Sequence, residues 1–158
     1  MQYPSISIIV PTYKESENIS LLINRIESVK KDYHLNIELI IVDDYSGDQI
    51  DQVIKSQEKD WLQLYTRKET RSLSLSVCTG LARANHDILV VMDADLSHPP
   101  EVIPQLAEVL MSGYDFALGS RYTEGGSTSH DWGFVRWLNS RVTTALAFPF
   151  TTVQDREP

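Results

Sequence analysis

Two aspartates two residues apart, Asp93 and Asp95, follow an apolar run at residues 88–92. Hard carboxylate oxygens set that close together suit Mg2+ or Mn2+, and such an ion can also bridge the phosphates of a nucleotide. The pair reads equally as a helix N-cap beside a solvated loop carboxylate. Asp43-Asp44 closes another apolar run and carries the same double reading. A carboxylate at the carboxyl end of a strand accepts from a ribose hydroxyl or a base, yet Asp also favours turns and caps. Tyr13 can stack on a base and Glu15 accept from it, or they are a half-exposed tyrosine and a solvated glutamate. Arg121 and Arg136, the latter one turn before Ser140, carry guanidinium forks that match phosphate oxygens and equally suit surface ion pairs. His98 and His130 stand near these loops without a Ser or Cys partner for a nucleophilic triad, and no catalytic role is assigned to them.

These groups need elements that bring them together. Residues 6–10 form a short β-branched run halted by Pro11, and Ile19, Leu22, Ile23, Ile26 and Val29 then recur at helical spacing. Residues 37–42 repeat the strand signal, turn chemistry follows at residues 45–48, and residues 50–54 suggest a short helix. A third strand is expected at residues 61–65, a third helix at 73–84, and a fourth strand at 88–92 whose unalternating apolar character predicts burial on both faces. Pro99 and Pro100 suit the opening of a helix carrying Val102, Ile103, Leu106, Val109 and Leu110, with Gly113 at its end. Residues 115–119 offer a fifth strand, and residues 125–129 a small-residue loop that acts as a lid or a connection.

Alternating strands and helices predict an α/β fold: a mainly parallel sheet, right-handed crossovers and helices on both faces. Ligands in such sheets sit beyond the carboxyl ends of the strands. Residues 11–15, Asp43-Asp44 and residues 93–97 all follow strand ends, so one crevice collects all three.

Composition bounds the chemistry. The chain has 158 residues, 42% of them apolar and 23% charged, which suits one folded domain over residues 1–158 and excludes a disordered chain. Fourteen Lys and Arg against 22 Asp and Glu give a net charge of −8, which opposes attraction to a nucleic-acid backbone while leaving a small phosphate ligand open. Cys78 is the single cysteine, so an intramolecular disulfide is excluded, no zinc-ligand spacing exists, and a reducing compartment fits. The N-terminus lacks a signal-peptide pattern, and no run approaches the ~20 apolar residues of a spanning helix. A soluble, cytoplasmic chain is expected, one able to meet a membrane-borne substrate at the cytoplasmic face.

The ordered motifs carry more information than any one of them. They are Ile9-Val10-Pro11-Thr12-Tyr13-Lys14-Glu15, Ile40-Ile41-Val42-Asp43-Asp44-Tyr45-Ser46, Met92-Asp93-Ala94-Asp95-Leu96-Ser97-His98-Pro99-Pro100-Glu101, Gly119-Ser120-Arg121-Tyr122, and Gly125-Gly126 followed by Trp132 and Arg136. In this order they resemble the family 2 glycosyltransferases of GT-A fold, most closely the dolichol-phosphate or polyprenyl-phosphate mannosyltransferase branch. The resemblance implies transfer of a sugar, mannose from GDP-mannose in the favoured case, to a polyprenyl phosphate with inversion at the anomeric carbon. It implies that Pro11, Tyr13, Glu15, Val42 and Asp44 hold the nucleotide base, and that Asp93 and Asp95 hold Mg2+ or Mn2+ on the diphosphate with Ala94 and Ser97 adjoining. Asp95, Arg121 and Arg136 take the catalytic positions near the phosphates, and Ser140 is a weaker correspondence.

Three departures accompany it. Lys14 stands where the family usually has Asn, and Ser72-Leu73-Ser74 stands where it has a Gly-Leu-Gly turn. Serine there is expected to strain or obstruct the site if the glycines serve positive φ or close approach. The family's catalytic domain also continues past the position of Pro158, so its usual C-terminal part is expected to be lacking. Two further readings stay open: a UDP-sugar donor, and a non-catalytic nucleotide-sugar-binding or oligomerising remnant. Apolar surface around Trp137, Leu138, Leu146, Phe148 and Phe150 would favour a homo-oligomer or membrane contact.

Overall fold

The computed structural model describes residues 4–120, and those up to Ala117 form one compact unit. Among the described residues four strands, β1 (Ile6–Thr12), β2 (Ile37–Asp43), β3 (Leu62–Thr66) and β4 (Ile88–Val91), make a parallel sheet in the order β3-β2-β1-β4. Helices α1 (Ser16–Asp32), α2 (Ile50–Lys55) and α3 (Leu73–Leu81) form the crossovers, and a 3-10 turn at Pro100–Val102 leads into α4 (Ile103–Met111).

All seven residues of β1 and of β2 are buried, as unalternating apolar strands at the centre of a parallel sheet must be. Their side chains still divide by parity. Ile6, Ile8, Val10, Leu39 and Ile41 join the main core with Ile19, Leu22, Ile23, Ile26 and Val29 of α1, the helical stripe expected from sequence. Each of those helix side chains contributes about 1.5–3 kcal/mol by leaving water.

Ile9 and Val42 point to the opposite face, where α3 lies. There Gly80 sets the spacing: a Cβ on it would stand 2.4 Å from Cγ2 of Ile9 and 3.3 Å from Cγ2 of Val42. Helices therefore cover both faces, as expected.

Two expectations need correction. Strand β4 is not buried on both faces, because it lies outside β1 and its residues alternate: Ile88 and Val90 pack against the core while Leu89 and Val91 are exposed. The helix on that other face, α3, packs on β1 and β2. Residues 115–119 form no strand either. Phe116 and Leu118, which a strand would bury between neighbours, are each 80% exposed. Gly113 does end α4, with φ +97°, a left-handed conformation that suits glycine.

Candidate functional site

The strand order reverses at β1, from which the chain runs outward to β2 and β3 on one side and to β4 on the other. In a doubly wound sheet this is where ligands enter. Four loops meet the carboxyl edge there. Pro11 and Val42 are register partners on β1 and β2, so two of the proposed base-side residues are neighbours by strand pairing alone.

In the first loop, Lys14 has φ 61°, a left-handed backbone that Asn tolerates better than a long side chain. Its ammonium lies 5.4 Å from the centre of the Tyr13 ring, and the Arg71 guanidinium lies 4.4 Å from the same ring. A π face holding a guanidinium at that distance is a cation–π contact. Glu15 stands at the N-cap position of α1 without a side-chain bond to a helix N–H, and its carboxylate accepts a hydrogen bond from Asn18 Nδ2 at 2.7 Å. The Ser16 N–H donates to Asp48 in the second loop at 3.2 Å, which ties the two loops together.

The two aspartates of the second loop do different work. Asp43 is a turn former: its carboxylate accepts from the Ser46 N–H at 3.1 Å, from the Ser46 hydroxyl, and from Thr12 Oγ1 at 3.4 Å. The turn alternative describes it well. Asp44, 6% exposed, has Oδ1 2.5 Å from Arg67 Nη1 and accepts at Oδ2 from the Ser72 N–H at 2.6 Å.

Arg67 directly follows β3, is itself 7% exposed, and is a residue the sequence reading missed. So are Arg71 and the Ser72 N–H. An arginine directly after a strand, in a loop that must face the same crevice, was the available signal.

The expected strain at Ser72 and Ser74 does not arise. Ser72 has φ −163°, an extended backbone open to any residue, and it is the N-cap of α3, its hydroxyl accepting from the Leu75 N–H at 3.4 Å. Ser74 lies inside the helix, with its hydroxyl 3.0 Å from that of Ser72. Serine is a favoured N-cap because its oxygen satisfies a helix N–H that has no partner within the helix.

The fourth loop begins where the Met92 N–H donates to Ile9 O at 3.1 Å. Met92 and Ala94 are buried and alternate with the exposed Asp93 and Asp95. The Asp93 N–H donates to His98 Nδ1 at 3.1 Å, and His98 Nε2 lies 3.9 Å from Asp93 Oδ2, so the imidazole folds back over the aspartate. Asp95 Oδ1 accepts from the Ser97 N–H at 2.9 Å, closing a turn in which Leu96 takes φ 64°. Beyond it, Glu101 receives a two-point contact from Arg25 of α1, at 2.9 and 2.6 Å. The hydrogen bond from Arg25 holds the Glu101 carboxyl below its usual range.

The donor set fits a divalent cation of the Mg2+ or Mn2+ class. Asp93 and Asp95 present carboxylate oxygen at the open edge, and among the described residues no group of three or more His, Cys, Asp or Glu forms a closed cage. One or two carboxylates, with the remaining positions left to water and phosphate, is how Mg2+ is commonly held on a nucleotide. Arg121, Arg136 and Ser140 lie outside the described residues, as do residues 125–129 and the apolar residues from Trp137 to Phe150. Among the described residues no helix is long and apolar enough to cross a membrane. Cys78 is a free, exposed thiol.

Similarity to known proteins agrees with this geometry. A dolichol-phosphate mannosyltransferase from Pyrococcus furiosus is 43% identical over 139 residues, which is 86% of this chain but 38% of that protein. The chain thus spans less than half the length of that relative. A mannosyltransferase from Pyrobaculum calidifontis, solved with GDP-Man and Mn2+, superposes with a TM-score of 0.53 at 27% identity, covering 60% of this chain and 28% of that one. Glucosyl-3-phosphoglycerate synthase from Mycobacterium tuberculosis shares the fold with a TM-score of 0.68 at 21% identity, covering 96% of this chain and 53% of that one. Residues 7–156 match the family described as Glycosyl transferase family 2, and with the strand order, the crevice and its paired aspartates the chain belongs to that family.

Proposed function

We propose that this chain is the nucleotide-sugar-binding part of a glycosyltransferase that moves mannose from GDP-mannose to a polyprenyl phosphate. The observation that carries the reading is the placement of Asp93 and Asp95 at the end of β4, beside the strand-order reversal and across it from Asp44 and Tyr13. The relative and the structural neighbour named above support mannose and GDP as sugar and base.

In this reading Pro11 and Val42 floor the base side, and Tyr13, Glu15 and Asp44 frame it. Asp93 and Asp95 would hold Mg2+ or Mn2+ with Ala94 and Ser97 adjoining. When bound, the cation offsets charge on the departing nucleoside diphosphate.

The acceptor phosphate is already anionic, so no strong general base is needed. One of its oxygens bonds to the anomeric carbon from the face opposite the leaving group as the bond to the nucleoside diphosphate breaks, which inverts that carbon. Arg121 and Arg136 are assigned to the phosphates, where guanidinium forks stabilise charge and fix orientation. Residues 1–158 belong to one catalytic domain in this reading, peripheral at the membrane surface that carries the lipid.

Calorimetric titration with GDP, GDP-mannose, UDP and UDP-glucose, each with and without Mn2+, tests the reading. Binding of GDP and GDP-mannose that needs Mn2+ is the expected result. Preference for the uridine ligands would move the donor to a UDP-sugar, and no binding of any of the four would overturn the proposal. Nucleotide binding without transfer to a polyprenyl phosphate would restrict this chain to donor binding.

A further inference from the structure

Arg67 makes more polar contacts than any structural need of β3 explains. Its N–H continues the β-ladder to Asp43 O at 2.8 Å. Its guanidinium reaches Asp44 Oδ1 at 2.5 Å, Ser76 Oγ at 3.3 Å, Thr70 O at 3.4 Å and Ser72 O at 3.5 Å, and its Nε lies 3.8 Å from the exposed carboxylate of Glu69. Two of these partners are carbonyls of the loop that Arg67 itself begins, so residues 67–72 wrap around their own guanidinium. The Ser72 N–H closes the ring on Asp44 Oδ2 at 2.6 Å.

Between the two gripped carbonyls lies Arg71, whose guanidinium rests on Tyr13 of the first loop. One buried side chain therefore fixes three things at once: the direction of the Asp44 carboxylate, the path of the loop after β3, and the point where Arg71 meets Tyr13.

We infer that Arg67 is a positioning residue for the nucleotide pocket: it turns Asp44 and holds the loop at residues 70–72 so that Tyr13, Arg71 and Asp44 form one wall of fixed shape. The inference rests on the nucleotide-sugar reading of the crevice. It assigns Arg67 no contact with the ligand, and its effect passes through Asp44 and the loop. A lysine cannot replace it, because one ammonium on a flexible stem lacks the planar fork that reaches a carboxylate and two carbonyls together. Both Asp44 oxygens already face protein donors, so a slackened loop frees the carboxylate to turn. Base preference should then change as well as affinity.

The test compares the unmodified chain with Arg67→Lys, measuring the dissociation constants of GDP and UDP in Mn2+ by calorimetry alongside thermal unfolding. Loss of charge-assisted hydrogen bonds predicts an increase of about tenfold in the GDP constant. The ratio of GDP to UDP constants should shift in the same variant. In an Asp44→Asn background, Arg67→Lys should add little further loss, since both changes act through one contact.

A variant with a lower melting temperature but an unchanged GDP constant and GDP-to-UDP ratio would overturn the inference and leave Arg67 a structural residue. Should Arg67→Lys fail to fold, amide hydrogen exchange on the unmodified chain decides. GDP with Mn2+ should slow exchange of the amides at residues 70–75, and unchanged exchange there overturns the inference. If the unmodified chain binds neither GDP nor UDP, the nucleotide-sugar reading fails, an outcome distinct from a binding chain that is indifferent to Arg67.

Discussion

Replacing Gly80 by alanine sets two effects of known sign against each other. Gly80 sits within α3, where alanine improves helix propensity by about 0.8–1 kcal/mol. The new methyl would stand 2.4 Å from Cγ2 and 3.3 Å from Cγ1 of Ile9. Those are branch atoms at the stiff Cβ of a fully buried residue on a central strand, not the end of a flexible chain. Relief requires α3 to lift from the sheet or β1 to shift, and overpacking of that kind costs about 1–3 kcal/mol.

The net expectation for Gly80→Ala is a loss of up to about 2 kcal/mol, read as a fall of up to about 8 °C in Tm for a domain of this size. Because Ile9 O accepts the Met92 N–H immediately before Asp93, a shifted β1 should also weaken Mn2+-dependent GDP binding. Differential scanning calorimetry with the binding titration checks both. A rise in Tm would show that helix propensity wins and that the close approach of α3 is not rigid, refuting the packing argument.

Other perturbations separate the roles of the charged groups. Asp93→Ala and Asp95→Ala should each abolish the Mn2+-dependent part of GDP binding, as chelation of the metal by EDTA should in the unmodified chain, with little change in Tm; metal-dependent binding retained by both variants would remove these aspartates from the site. Burial alone would raise the Glu38 carboxyl, but hydrogen bonds from Ser7 and from the N–H and side-chain amide of Asn85 outweigh it and hold the group below its usual range. A depressed carboxyl contributes stability that is present above the unfolded value of about 4.3 and lost as pH falls through the folded value. Glu38→Gln should therefore flatten the acid limb of a plot of stability against pH, and should cost about 1–3 kcal/mol at neutral pH by turning an amide against the Asn85 donors. Arg25→Ala removes a pair whose side chains are 30% and 53% exposed, so solvent screening limits its cost to about 1 kcal/mol or less, and that cost should shrink further in 1 M salt.

Much of the frame was legible in the residues because it depends on periodicity. The stripe from Ile19 to Val29 and the apolar runs of β1 and β2 are local patterns, and the structure places them as expected. Strand β4 was misread because an apolar run does not say whether a helix covers both its faces; here Leu89 and Val91 face away from the core and α3 packs elsewhere. Residues 115–119 misled for a related reason, since a short segment with apolar residues supplies no neighbouring strand.

In the candidate site, the strand-end aspartates were visible as types at positions. Their partners were not. That Asp44 faces Arg67 and the Ser72 N–H depends on contacts 23 and 28 residues apart in the chain, which no local spacing encodes. Gly80 was equally silent, because its meaning lies in Ile9 on another element.

The two sides of the crevice are built on different electrostatic terms. On the β2–β3 side, Asp44 and Arg67 are both more than nine-tenths buried, and each has the other plus backbone or hydroxyl groups to replace the water it gave up. Removing either partner would strand a buried charge, a loss of about 3–5 kcal/mol, so this wall is set during folding and is costly to rearrange for a ligand. On the β4 side, the Asp93 side chain is about half exposed and lies beside the half-exposed imidazole of His98. An exposed carboxylate such as that of Asp93 can take a cation and phosphate oxygens without first breaking a buried pair. On the function proposed above, the rigid wall reads the base and the exposed aspartates meet the diphosphate. Nucleobase preference should accordingly follow changes at Arg67 and Asp44, and metal dependence changes at Asp93 and Asp95. A variant at Asp93 that altered base preference while keeping metal dependence would contradict that division.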